Sequence, residues 1–213
     1  MQSQGEEPKR RTRRKDARPA EIVEAALALF AERGFAATKL EDVAARAGIG
    51  KGTLYLYFSN KEELFRAVVR QGLLPNLEAA EAMVAAHTGS ASDILRQIAS
   101  QFLRLIDTDL TAIPKLVITE AGNFPAIAEF YAEEVVKRGI RLIAGVIALG
   151  VESGEFRPID TQSAVPLFVA PFLMMALWRH SLARHTDVGV DPRRVIETHL
   201  DVLLRGLAAK ASE

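Results

Sequence analysis

The chain has 213 residues, 49% of them apolar and 25% charged, with 27 basic residues, 27 acidic ones and no cysteine. That length and apolar content suit one large or two small packed domains and exclude disorder throughout. The lack of cysteine excludes disulfides, thiolate metal sites and cysteine nucleophiles.

Zero net charge hides an asymmetry. Met1 to Arg70 carries 14 Lys and Arg against 10 Asp and Glu, whereas the rest carries 13 against 17. Most of the excess lies in an opening arm, residues 1–17, rich in Lys and Arg from Lys9 onward. The composition predicts a disordered basic arm suited to phosphate attraction. Its charged first residues contain no apolar core of a secretory signal, so the protein is expected to stay in the cytoplasm.

Ile22, Ala25, Ala26, Leu29 and Phe30 follow helical spacing, and Gly34 supplies a stop. Thr38 with Glu41 reads as a capping box opening a second helix, Lys39 to Ala47, which Gly48 ends. A short third helix is predicted from Lys51 to Tyr57. Ser59 with Glu62 reads as a second capping box, starting a fourth helix near Asn60. Further helices are predicted near 73–86, 92–107, 114–121, 125–152, 160–184 and 192–209, the first a candidate continuation of the fourth helix. The uncharged run from Thr161 to Trp178 is interrupted by Pro166 and Pro171 and reads as a buried helix rather than a membrane span. No sustained alternation of β-branched residues occurs, so the fold class is all-α.

The window Thr38 to Tyr57 meets the demands of a helix-turn-helix. Ala44 is small where the helices approach, Gly48 makes the turn, and Val43, Ala47, Ile49, Leu54 and Tyr57 supply apolar contacts. The run LEDVAARAGIGKGTLYLYFSNKEELF, Leu40 to Phe65, resembles the signature of the TetR family of transcriptional regulators, and Glu21 to Thr38 resembles the helix before it. The later segment GEFRP, Gly154 to Pro158, is also similar to other members.

This resemblance implies a helix-turn-helix DNA-binding domain over 18–65 and a helical effector-binding and dimerisation domain over 66–213. It implies a third helix in the major groove. Carried over by position, Lys51, Gly52 and Thr53 approach bases or backbone, and Tyr55 and Tyr57 touch phosphates. Lys61 binds phosphate at the N-terminus of the fourth helix, and Thr38 caps its own helix close to the DNA backbone. Hydroxyls and ammonium groups donate to phosphate oxygens, which gives these assignments a physical basis. Two positions depart from the family pattern. Gly50 leaves the third helix without a side-chain cap, and Leu56 offers only apolar contact, such as to a thymine methyl.

The resemblance further implies a homodimer built on the last two helices, with Met174, Trp178, Val195, Ile196, His199, Leu200, Leu203 and Leu207 at the interface. It also implies an effector pocket in each subunit. Candidate lining comes from Phe102, Ile106, Val117, Ala121, Phe124, Phe168, Phe172 and Met175, with Glu120 and Arg179 as polar anchors. The apolar, aromatic character of these segments points to a small hydrophobic effector. Pro171, within its helix, frees the carbonyl of Leu167.

No enzyme constellation is visible. The four histidines lack metal-ligand pairing, no cofactor motif occurs, and GIGKGT, Gly48 to Thr53, follows a helix where a phosphate loop follows a strand. The expected function is a ligand-responsive DNA-binding regulator, a repressor released from its operator by the effector. The alternative is a small-molecule-binding helical protein without DNA-binding activity.

Overall fold

The computed structural model describes residues 9–209, with side chains from residue 19 onward. Four helices form its N-terminal end: α1 (Lys9–Arg33), α2 (Leu40–Arg46), α3 (Lys51–Tyr55) and α4 (Lys61–Val68). Seven follow: α5 (Leu74–Ala86), α6 (Ala91–Leu105), α7 (Ala112–Glu120), α8 (Pro125–Tyr131), α9 (Lys137–Glu152), α10 (Thr161–His180) and α11 (Pro192–Leu207). Among the described residues the one extended pairing is an isolated bridge between Phe156 and Ala208.

Helix α1 takes in residues 9–17 of the arm whose composition predicts disorder. Residues 9–18 hold neither Gly nor Pro, and Lys and Arg are good helix formers, so extending α1 backward costs little. Residues 1–8 of the arm lie outside the described residues.

Gly34 (φ 85°) ends α1 and Gly48 (φ 67°) turns the chain between α2 and α3, conformations that cost glycine little. Both capping-box expectations need correction. Lys39, not Thr38, is the N-cap of α2, and it makes no side-chain cap. Thr38 is 1% exposed, and its hydroxyl donates to the Gly34 carbonyl at 2.7 Å, with that of Leu29 at 3.3 Å. It therefore fastens the α1–α2 loop from inside. At α4 the cap is Asn60, whose side chain accepts from the Glu63 amide at 2.8 Å. Glu63, not Glu62, reaches back to the Ser59 amide at 2.8 Å.

Two joints are π turns, which sequence periodicity does not display. Val69–Leu73 carries α4 into α5, and Ala132–Val136 carries α8 into α9. Each makes one continuous helical rod, from Lys61 to Ala86 and from Pro125 to Glu152. Arg138 ties the rods together through Glu81, its Nε and Nη2 donating at 3.0 and 2.6 Å.

The apolar residues form two cores. The first joins α1–α4 to α7 and α8 through Phe35, Phe65, Leu116, Val117 and Ile127. The second lies among α6, α9, α10 and α11 around Leu95, Ile147, Phe168, Phe172 and Ile196. The GEFRP segment staples the second core. The Glu155 carboxylate accepts from the amides of Ala91 and Ser92 at 2.6 and 2.9 Å, Phe156 is 2% exposed, and Arg157 donates to the Gly206 carbonyl at 2.8 Å.

Helix α10 runs unbroken through Pro166 and Pro171. It is the one described helix long and apolar enough to cross a membrane by length and composition. Here its Ala164, Val165, Phe168, Phe172, Met175 and Ala176 are buried against the subunit, while Leu167 and Met174 stay exposed.

Candidate DNA-binding surface and ligand cavity

Helix α3 is anchored by Leu54 and, just beyond its end, by Phe58, both in the first core. That fixes what it shows to solvent. Lys51, Gly52, Tyr55 and Leu56 are exposed, Thr53 is part-buried, and Tyr57 packs part-buried on the core. Leu56 is 83% exposed, the highest value among the exposed large apolar residues. Gly50 is the N-cap of α3 and provides no side-chain cap, as expected.

The charges around α3 are paired. Lys51 Nζ lies 2.6 Å from Glu41 Oε1 and 5.7 Å from the centre of the Tyr55 ring. The hydrogen bond from Lys51 holds the Glu41 carboxyl below its ordinary range, and the same bond raises Lys51. Arg46 pairs with Glu32 at 2.6 Å, and Arg33 with Asp42 at 3.5 Å, lacing α2 onto α1. Exposed pairs of this kind contribute little stability, so a phosphate can displace them at small cost.

Lys61 is placed differently from its expected phosphate role. Its ammonium donates to the carbonyls of Phe35 at 2.6 Å, Ala36 at 3.0 Å and Thr38 at 3.0 Å. It also sits over the rings of Phe35 and Phe124, at 4.5 and 5.6 Å. All three protons are committed within the chain. Burial pulls its pKa below the lysine range, opposed by Glu62 and Glu120. Lys61 is a clamp on the α1–α2 loop, and Thr38, buried beside it, presents no side chain to DNA.

A cavity of about 260 Å³ lies among α5, α6, α7, α8 and α10. Its apolar wall includes Leu73, Leu77, Ile98, Phe102, Leu105 and Leu110, and Asn76, Gln101, Thr111 and Tyr131 add polar groups. Of the expected lining, Phe102 is in place, its ring edge-on to Phe172 at 4.9 Å. The other seven do not line it. Ile106, Phe168, Phe172 and Met175 are consumed by the second core, and Val117 by the first. Phe124 packs edge-on to Phe35 at 4.8 Å, and Ala121 caps the end of α7.

Neither expected polar anchor reaches the cavity. Glu120 accepts from the Ala36 amide at 3.3 Å, and Arg179 pairs with Asp107 at 3.1 Å. Asn76, Gln101 and Tyr131 were missed, although a signal existed. Each falls on the apolar stripe of its helix: Asn76 between Leu73 and Leu77, Gln101 between Ile98 and Leu105, Tyr131 between Ile127 and Val135.

The expected interface divides in two. Ile196, Leu200 and Leu207 are buried in the subunit's own second core, and Val195 and Leu203 pack part-buried against it. His199 meets the Phe172 ring edge-on at 6.3 Å; its Nε2 is buried without a partner, and burial lowers its pKa. Met174 is 49% exposed, Leu167 on the same helix 57% and Val202 on α11 65%. Trp178 is part-buried. No group of three His, Asp or Glu among the described residues could hold a metal ion.

The family model of bacterial regulatory proteins, tetR family, matches residues 22–68. That of the tetracyclin repressor-like C-terminal domain matches residues 85–191. The HTH-type transcriptional repressor KstR2 of Rhodococcus jostii (strain RHA1) is 29% identical over 197 residues, 92% of this chain and 93% of that protein. The KstR2 repressor of Mycobacterium tuberculosis (strain ATCC 25618 / H37Rv) is 32% identical over 146 residues, 67% of this chain and 71% of that protein. The crystal structure of the transcriptional regulator FadR from Bacillus subtilis in complex with stearoyl-CoA shares the fold, with a TM-score of 0.72 at 22% identity, covering 88% of this chain and 98% of that one.

Proposed function

The chain belongs to the TetR family of bacterial transcriptional regulators, a ligand-responsive DNA-binding family, and from that premise we propose that it is a cytoplasmic homodimeric repressor released from its operator when a small apolar molecule fills the cavity. The observation that carries this reading is the outward face of α3. A one-turn helix locked by Leu54 and Phe58 presents Lys51, Gly52, Tyr55 and Leu56 together to solvent. A helix so presented fits the major groove, with Lys51 and Tyr55 at phosphates and Leu56 against base edges. The basic residues of the arm add attraction to the phosphate backbone.

Reading two half-sites requires two copies. Leu167, Met174 and Val202 supply an exposed apolar surface on α10 and α11 for the second copy, giving a four-helix interface. The FadR structure of the same fold is in complex with stearoyl-CoA, which supports a ligand-binding role for this chain. The cavity of about 260 Å³ lies just under the roughly 300–1,000 Å³ of drug-sized sites, so the molecule that it encloses is small.

Footprinting on DNA flanking the gene tests the reading. Two protected half-sites about 34–36 Å apart or a multiple of that spacing are expected, with affinity reduced by Tyr55→Ala and Leu56→Ala while the fold is retained. Absence of sequence-specific protection would favour the alternative of a ligand-binding protein that does not read DNA.

A further inference from the structure

The residues lining the cavity include no charged side chain. They include instead three neutral polar groups with unused hydrogen-bonding capacity, one from each of three helices. Asn76 spends its Nδ2 on the Gly72 carbonyl at 2.7 Å, leaving Oδ1 without a partner among the described residues. The Gln101 amide and the Tyr131 hydroxyl make no hydrogen bond to any described residue. Thr111 is already committed, with the Thr108 carbonyl at 2.9 Å and His180 Nε2 at 2.8 Å.

These facts select a ligand chemistry. A carboxylate in this cavity would lose its water and gain no cation, a cost that apolar contacts do not offset. A pure hydrocarbon would strand the polar groups that water satisfies in the free protein, which costs affinity for each group left unpaired. Burial raises the Tyr131 pKa, so its hydroxyl stays protonated and available as a donor. Gln101 offers a donor and an acceptor together.

We propose that the cavity takes a small uncharged apolar molecule bearing a carbonyl-type acceptor, gripped by the Tyr131 hydroxyl and the Gln101 amide, and that it rejects the carboxylate of the same skeleton. The proposal rests on the reading of this cavity as the effector site. Asn76 gives the contact a consequence, because the amide facing the ligand also holds the carbonyl of Gly72 in the π turn between α4 and α5.

Calorimetry on the full-length protein at pH 7 with 2-nonanone and nonanoate tests it. The ketone should bind at least about tenfold more tightly, and Tyr131→Phe and Gln101→Leu should each weaken it by about three- to tenfold. Neither substitution should lower the melting temperature of the ligand-free protein, since neither group has a partner to lose. Leu105→Trp, which fills the cavity from its part-buried rim, should abolish ketone binding. Nonanoate binding as tightly as the ketone overturns the proposal, as does ketone binding indifferent to both polar substitutions or persisting in Leu105→Trp. If neither compound binds the unaltered protein, the effector-site reading falls, and this inference falls with it.

Discussion

Replacing Lys61 by Met removes an ammonium and keeps the stem. Three carbonyls, those of Phe35, Ala36 and Thr38, then lose their shared donor. Buried hydrogen bonds to a charged group contribute about 1.5–3 kcal/mol each. Lys61 is part-buried and its bond to Ala36 is exposed, so water takes over at most of these carbonyls after the substitution and the net loss is that of about one such bond. The ring contacts add about 0.5–1 kcal/mol. The expected loss is about 2–4 kcal/mol, which for a chain of this size lowers the melting temperature by roughly 5–15 °C. Lys61→Arg should recover only part, because a planar fork does not reproduce three bonds converging on one nitrogen.

Two assays separate this clamp from a phosphate contact. Denaturant unfolding at fixed protomer concentration should show the loss of stability. Operator binding against salt, measured below the melting transition, should keep its slope, since an ammonium already committed within the chain displaces no counterion. A phosphate contact predicts the reverse: unchanged stability and a slope lower by about one. That result would refute the clamp.

Val202→Glu should give monomers in sedimentation with little loss of subunit stability, because Val202 is 65% exposed; Leu203→Glu, in contrast, should unfold the subunit, since Leu203 packs on the second core. Gly150→Ala should destabilise by about 1–3 kcal/mol, because the added Cβ would lie 2.2 Å from the Phe156 ring, and thermal unfolding reads the loss. Burial is the first cause lowering both His180 and His199 below the ordinary value of 6.5. The unfolded chain therefore binds more protons than the folded one as pH falls through about 6.5, and stability drops with it. His180→Asn combined with His199→Phe should flatten that dependence in unfolding curves taken from pH 7.5 downward.

The DNA-reading end, α1 to α4, was legible because its constraints are local. Gly34 and Gly48 mark turns that few other residues make, and Leu54 and Phe58, four apart in sequence, both pack into the first core. The misplaced residues share a different cause. Lys61 and Thr38 were read as surface groups, but their partners are backbone carbonyls of the end of α1 and the α1–α2 loop, up to 26 residues away along the chain, and no side-chain pattern encodes a carbonyl. Phe168, Phe172, Ile196 and Leu200 were assigned to a pocket or an interface from their apolar faces alone. An apolar face states that something covers it, and here the cover is the neighbouring helix of the same subunit. The two π turns escaped because an inserted residue shifts a helical stripe by about 100°, no more than the width of the stripe itself.

Those π turns bear on how an occupied cavity would reach the DNA. The rod from α4 to α5 contributes Leu73, Asn76 and Leu77 to one wall, while Leu110 and Pro114, at and just before α7, contribute to another. Both walls lead to the reading end, α7 and α8 by joining its core through Leu116, Val117 and Ile127, and α4 as part of it. A ligand that spread the walls would therefore tilt α4 against α1 rather than move the reading end as a whole. The π turn Val69–Leu73 lies within that rod. Its Gly72 packs so closely on Leu110 that an added Cβ would lie 2.5 Å from Leu110 Cδ2, so displacement of Leu110 is felt there directly. At the far end, the Lys61 clamp holds the start of α4 to the α1–α2 loop and the Asn60 cap closes its first turn, so tilt would pass to α2 and α3 instead of being lost in a frayed terminus. The ligand needs to favour the tilted state over the DNA-competent one by only about 1–3 kcal/mol to change operator affinity 5- to 150-fold. A loosened clamp should therefore weaken the ligand's effect on DNA even where both ligand and DNA still bind.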